Sequence, residues 1–357
     1  MWQMTADDVE SIAIGAGILG TGGGGNPYLG KLRSQRAIAD HGPVTVLAPE
    51  ELDDDAQVMC VGFMGAPTVT IEKITGREAY YSLKCLEKYS GKKVSAIISN
   101  EIGGSNSIET IIPATLTGLP IVDGDGMGRA FPELQMKSFF TYGVQPTPLA
   151  VSDEKGNTAL ITEAVEAKWV ERMARAVTIQ MGSAAGYAFG PMSAEQVRKS
   201  AIPNTITLAK TLGESVREAR AKKGDIVSSI ISTHPGRILF QGKIVDVERR
   251  TTAGFARGKM ELEGMNEYKG AAMTIEFQNE NLIAWQGGKV VCMVPDLICV
   301  VDQEQGEPIT TELLRYGFRV TVLGFPADSL WKTAKGLEVV GPRAFGYDLD
   351  YIPLELE

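Results

Sequence analysis

Gly15-Ala16-Gly17-Ile18-Leu19-Gly20-Thr21-Gly22-Gly23-Gly24-Gly25-Asn26-Pro27 decides how the fold of this chain is read, and it packs seven of the forty glycines into eleven residues. Its first six residues spell G-x-G-x-x-G, the dinucleotide fingerprint. That pattern carries its chemistry only where it follows a strand and opens a helix, so that pyrophosphate meets free backbone N–H groups. Here Thr5-Ala6-Asp7-Asp8 has the form of a helix N-cap with an acid three residues on. Val9, Ile12, Ala13, Ala16 and Leu19 or Gly20 then follow at helical spacing. The pattern predicts a helix that runs through Gly15 and Gly17 instead of starting at them, and no acid for a ribose stands at a strand end about twenty residues later. No NAD site is therefore expected. Gly22 to Gly25, closed by Asn26-Pro27, read differently. Four consecutive glycines suit neither strand nor helix, since each loses the most backbone entropy and none packs a side chain. They suit a loop whose N–H groups approach a ligand closely, with a glycine-rich C-cap and turn as the plainer alternative.

Outward from that loop, Tyr28 to Ala39 has helical character and Val44 to Leu47 reads as a strand. Gln57 to Phe63 reads as a buried strand running into a Gly65-Ala66-Pro67 turn. Ala79 to Tyr89 has the spacing of an amphipathic helix, with Tyr80, Leu83, Leu86 and Tyr89 inward. Val94 to Ser99 is a further buried strand, Ser107 to Thr115 a helix and Leu119 to Val122 a short strand. Apolar strands alternating with helices predict an α/β N-terminal domain with a mostly parallel sheet. Beyond a hairpin at Ala150 to Leu160, with its turn at Asp153 to Asn157, two helices are expected near 163–175 and 203–221. From Ile231 onward strands dominate, at Ile238–Val247, Ala271–Asn279, Leu282–Trp285, Lys289–Val294 and Phe318–Leu323. The second half is thus expected to be a β-rich α+β C-terminal domain, with the boundary near residue 165 and domains of 1–165 and 166–357.

The chain has 357 residues, 44% apolar and 22% charged, which is the composition of a globular protein with ample core. A net charge of −9 argues against a nucleic-acid surface. No apolar run reaches the roughly eighteen residues of a membrane span, and Asp7, Asp8 and Glu10 stand where a signal peptide would be basic. Cys60, Cys85, Cys292 and Cys299 lack C-x-x-C spacing and read as reduced, buried thiols. The expectation is a cytoplasmic protein handling a small-molecule substrate, with no nucleic-acid or membrane partner. Assembly into a homo-oligomer stays open.

Ligands of open α/β sheets bind beyond the carboxyl ends of the strands, and three clusters fall there. Asn100-Glu101-Ile102-Gly103-Gly104-Ser105-Asn106-Ser107 follows one strand, Asp123-Gly124-Asp125-Gly126-Met127-Gly128-Arg129-Ala130-Phe131-Pro132-Glu133 another, and the turn at Gly65 a third. Asp123 and Asp125, with Glu101, are the expected catalytic acids, because clustered carboxylates repel, raise each other's pKa and share a proton or a metal. A solvated D-G-D-G turn is the alternative. Gly22, Gly23, Gly24, Gly25, Asn26, Asn106 and Arg129 are the expected substrate contacts. Asp123 and Asp125, with Glu101, are also the oxygen donors for a divalent metal, if one is bound, with His234 supplying a nitrogen from the second half. His41 lies in a polar turn and reads as a surface residue.

Together, Gly20 to Pro27, Glu101 to Asn106 and Asp123 to Glu133 resemble a bacterial family long described only as a domain of unknown function (DUF917). In the second half Phe277-Gln278-Asn279-Glu280-Asn281-Leu282, Pro295-Asp296-Leu297-Ile298 and Gly341 to Asp348 are similar to it as well. The family is described as S-methyl thiohydantoin desulfurase-like, with an α/β N-terminal and a β-rich C-terminal domain. The resemblance implies a hydrolase that converts an S-methyl thiohydantoin to a hydantoin and methanethiol. It also implies a link to hydantoinase and oxoprolinase proteins, for which this chain could instead be a non-catalytic binding subunit. Water would add to the C=N carbon bearing sulfur, with a carboxylate base and backbone N–H donors assisting.

Overall fold

A computed structural model describes all residues except 66–68, 70, 71, 74, 75, 253, 254 and 357. The strands of the described residues are β1 (Trp2–Met4), β2 (Val44–Leu47), β3 (Gln57–Gly65), β4 (Ala96–Ser99), β5 (Ile121–Asp125), β6 (Leu149–Ser152), β7 (Thr158–Ile161), β8 (Ala184–Ser193), β9 (Ile202–Pro203), β10 (Arg237–Thr252), β11 (Phe255–Gly264), β12 (Ala272–Gln278), β13 (Glu280–Gln286), β14 (Lys289–Met293), β15 (Leu297–Asp302) and β16 (Arg319–Phe325). The helices of the described residues are α1 (Ala6–Leu19), α2 (Pro27–His41), α3 (Glu78–Ser90), α4 (Ser105–Glu109), α5 (Ile111–Thr117), α6 (Ser138–Thr141), α7 (Ala167–Gln180), α8 (Ala194–Ser200), α9 (Thr205–Lys222), α10 (Ile226–Thr233) and α11 (Ala334–Val340).

The first sheet runs β1-β2-β5-β4-β3-β8-β6-β7, with β9 added to β5. Its centre, β2, β5, β4 and β3, is parallel, and antiparallel strands extend it on both sides. The second sheet, β14-β13-β12-β11-β10-β16-β15, is antiparallel throughout. The chain is thus an α/β N-terminal domain followed by a β-rich C-terminal domain with helices. Strands β8 and β9, which follow residue 165, complete the first sheet.

Helix α1 begins at the expected cap: Thr5 accepts the Asp8 N–H and the Asp8 carboxylate accepts from the Thr5 backbone. Gly15 and Gly17 lie inside it, and the reason is packing. A Cβ on Gly15 would stand 1.9 Å from the Ala209 carbonyl oxygen of α9, and one on Gly213 of α9 would stand 1.8 Å from that of Ser11. The two helices meet backbone to backbone. With α10 they fill the space between the two sheets, so that one core joins Val9, Ile12, Leu212 and Val216 to Cys299, Leu323 and Phe325 of the second sheet. A smaller core joins Met127 and Phe131 to Leu282, Val294 and Trp331. The two domains therefore share buried apolar surface, which is what fixes a site between them.

Several elements depart from the sequence reading. The helix expected at 107–115 is two, divided at Thr110, because Pro113 has no N–H to give the carbonyl of residue 109. Strand β5 continues through Asp123 and Asp125, where a loop was expected, since β9 pairs with Gly124 and Asp125. Ile231 belongs to α10, capped by Asp225, and not to a strand. Tyr89 is exposed instead of facing inward. Strands β11 and β15 were not anticipated. Ala66 and Pro67, of the expected turn, lie outside the described residues. The cysteines are free, with Cys85 half-buried and the others buried. No helix of the described residues is long and apolar enough to cross a membrane.

Candidate functional site

A cavity of about 440 Å³ opens at the carboxyl ends of β3, β4 and β5, where parallel sheets place their ligands. Phe63, Met64 and Gly65 reach it from β3, Asn100 and Glu101 from the end of β4, and Met127 and Phe131 from beyond β5. Gly24, Gly25 and Asn26 form one wall, and Asn279 and Glu280 arrive from the second sheet. Three expected site regions thus meet, joined by a stretch of the C-terminal domain that had only been noted for its family likeness.

Glu101 is buried in this wall, 4% exposed. One carboxylate oxygen accepts from the Asn106 side-chain amide and the other from the Phe131 backbone N–H at 3.2 Å. Asn106 is itself fixed, its Oδ1 accepting the Phe63 N–H at 2.6 Å. Burial raises the Glu101 pKa to about 7 against the opposing pull of the Lys137 ammonium and of these hydrogen bonds, with the Asp125 charge adding to the rise. Lys137 is fully buried on the cavity wall, donates a hydrogen bond to the Leu134 carbonyl at 2.9 Å, and stands over the rings of Tyr187 and Phe140. Burial lowers its pKa, with Cys60 and Glu101 acting the other way. Tyr187 lines the same wall, and burial raises its phenol pKa. Toward the mouth stand the ion pairs Arg33–Glu109 and Arg175–Glu171, whose arginines line the cavity, and the exposed Tyr28 and Leu29.

The expected Asp pair sits elsewhere. Asp125 is fully buried behind the wall and accepts the backbone N–H groups of Ile102, Met127 and Gly128 at 2.8 to 3.1 Å. Burial raises its pKa to about 7 even so. It holds the post-β4 and post-β5 loops together, and so positions Glu101 indirectly. Asp123 accepts the N–H groups of Ile206 and Thr207 at 2.9 and 3.1 Å and the Thr207 hydroxyl. It therefore satisfies the N-terminus of α9, whose own N-cap residue, Asn204, makes no side-chain capping bond. Neither aspartate is on the cavity surface.

Arg129 is likewise away from the cavity. Its guanidinium makes five hydrogen bonds: to the carbonyls of Ala130, Asn281, Pro295 and Asp296 and to the Thr21 hydroxyl. Burial brings its pKa down to about 10, so it stays cationic. It ties the first domain to the β13 and β15 region, which gives Asn281, Pro295 and Asp296 of the family-like stretches 277–282 and 295–298 an architectural role. Asn281 adds to the same joint, its N–H donating to the Thr21 carbonyl at 2.8 Å. Asp296 accepts from Ala327, Tyr351 and Leu354 and fastens the C-terminal tail.

Within the glycine run, Gly24, Gly25 and Asn26 face the cavity, while Gly22 and Gly23 lie behind its surface. Gly22 abuts Asn281 and Thr311. Asn26 also caps α2, accepting the Tyr28 N–H at 2.8 Å. His234 is remote from the cavity: it ends α10 and stacks on Phe325 at 5.1 Å, and burial lowers its pKa. Asp123, Asp125 and His234 do not converge, and the described residues hold no group of three His, Cys, Asp or Glu placed to bind a metal ion. No step is therefore derived through a metal. His41 is exposed.

Sequence reasoning did not single out Lys137, Tyr187 or Glu280 as site residues. Lys137 follows a run of loop residues that carries no periodicity, and Tyr187 lies in a small-residue stretch. Glu280 did stand in a family-like segment, and that was the available signal.

With this geometry established, comparison with known proteins assigns the family. Residues 7–163 match the model of the S-Me-THD-like N-terminal domain and residues 165–354 that of the S-Me-THD-like C-terminal domain. The chain belongs to the S-Me-THD-like family. No curated protein matches it. It is similar in fold to a Chromobacterium violaceum protein whose X-ray crystal structure came from a structural genomics consortium. That protein is 22% identical, with a TM-score of 0.83 over 99% of this chain and 100% of that one.

Proposed function

We propose that this protein is a hydrolase that acts on a hydantoin-like ring bound in the cavity between its domains, with an S-methyl thiohydantoin as the substrate to try first. The observation that supports it best is Glu101. A carboxylate at a cavity wall, oriented through both oxygens and with its pKa brought to about 7 by burial, suits a general base for water. In the proposed reaction Glu101 takes a proton from water as the oxygen adds to the ring carbon that bears sulfur. The buried Lys137 ammonium favours the negative charge that develops nearby. Asn100, on the cavity wall, offers hydrogen bonds to ring carbonyl and nitrogen. The carbonyl forms as methanethiol leaves, so that the two protons of water end on ring nitrogen and on sulfur.

The test is to incubate the protein with S-methyl thiohydantoins of varied ring substituent and measure methanethiol. Release that saturates with substrate supports the reading. Absence of release, together with tight binding of a hydantoin, favours a non-catalytic ligand-binding subunit instead.

A further inference from the structure

Glu280 reaches the cavity from the first residue of β13, in the second sheet. It is 3% exposed, and its Oε2 has no hydrogen-bond partner among the described residues. The glycine loop wraps its carboxyl group closely. A Cβ on Gly23 would stand 2.0 Å from Oε1, and the Gly24 N–H is directed at the carboxyl. Within the glycine run it is Gly23 whose missing side chain makes room for this carboxyl group.

An ionised carboxylate fits these surroundings poorly. It would sit buried with one oxygen unpartnered, and it would face the charge of Glu101 across the cavity. A neutral acid fits them: one oxygen accepts from backbone, and the other carries a hydrogen whose acceptor the described protein does not supply. We propose that Glu280 is the proton-donating catalytic residue of this cavity, giving its proton to the departing sulfur of an S-alkyl substrate. This rests on the hydrolytic reading above. Burial and the Glu101 charge both raise the pKa of Glu280 well above the carboxylic range, while Arg129 and the backbone donors oppose them.

The balance is as follows. Glu101 accepts a proton from water as the new C–O bond forms, and that proton passes to the ring nitrogen. When the C–S bond breaks, the electron pair leaves on sulfur, which takes the Glu280 proton and departs as a neutral thiol. The remaining hydroxyl proton returns to Glu101 as the carbonyl forms, and transfer from Glu101 to Glu280 restores the starting state. The substrate class follows from this arrangement. An alkylthiolate is basic and needs the acid, whereas an arylthiolate leaves without one.

The experiment compares wild type with Glu280→Gln on matched S-methyl and S-phenyl thiohydantoins, with the infrared carboxylic-acid band of the wild type, assigned by its loss in the variant, as a second readout. The expected result is a neutral-acid band at pH 7, a loss of turnover of about a hundredfold or more on the S-methyl compound, and little loss on the S-phenyl compound. Equal loss on both compounds, no loss on either, or no band at neutral pH overturns the proposal. If wild type turns over neither compound, the hydrolytic reading falls by itself, and the band still decides on the donor. A shift of that band on binding a hydantoin supports proton donation into the cavity, and an unmoved band overturns it.

Discussion

Asp123 and Asp125 are neighbours in sequence and do unrelated jobs; Glu101 and Glu280 come from different domains and share one cavity. The Asp pair accepts backbone N–H groups of Ile102, Met127, Gly128, Ile206 and Thr207. The Glu pair stands on a wall that a ligand can reach. Sequence proximity of acids is thus a poor guide to shared chemistry. What distinguishes a reactive carboxyl from a structural one is where its hydrogen-bonding capacity is directed: into the backbone, or into a cavity.

The comparison breaks most sharply at Glu101. Glu101→Gln keeps the size of the side chain, replaces one of its two accepting oxygens with a donor and removes the proposed base; turnover of a confirmed substrate should fall by about a hundredfold or more, measured as methanethiol release by the folded variant. Unchanged turnover would remove Glu101 from the chemistry.

A second effect is on stability against pH. Glu101 and Asp125 have folded pKa values near 7, above ordinary values of 4.5 and 3.8. Between those limits the folded protein holds more protons than the unfolded chain, so stability is greatest at the acid end and falls as pH rises toward 7. Glu101→Gln should remove its own share of that fall, on the order of 3 kcal/mol, and leave the share of Asp125. Denaturant unfolding at pH 5 and pH 7.5 checks this, and equal slopes in wild type and variant would mean that Glu101 ionises normally.

The smallest effect is expected at Asp123. Asp123→Ala deprives the start of α9 of its acceptor and should lower stability by about 1 kcal/mol, the scale of a lost helix cap, without changing the rate. A variant of intact stability and lost rate would place Asp123 in the chemistry after all.

Local signals in the sequence were sound guides where local physics decides. The Thr5–Asp8 cap, the helix through Gly15 and Gly17, the strands β3 and β4 and the hairpin of β6 and β7 were all legible from periodicity and turn residues. What was not legible depends on distant partners. β5 extends through Asp123 and Asp125 because β9 supplies hydrogen bonds from nearly eighty residues away along the chain. Arg129 had the composition of a substrate anchor, yet its partners Pro295 and Asp296 occupy it fully. The place of Glu101 and Asn106 on the cavity wall was legible because they follow a strand in a topology whose ligand end is known. Glu280 was not, because no pattern within a single sequence states which loop will face which cavity.

The seating of Glu280 against Gly23 also sets a schedule for the newly made chain. The segments up to α9 carry Glu101, Asn106 and the glycine loop, but without the second sheet the cavity lacks a wall. Only when β13 has been synthesised and has docked does Glu280 fill the space beside Gly23. A truncated N-terminal half would carry Glu101 without Glu280, so that the cavity is complete only once the joint between the domains has closed.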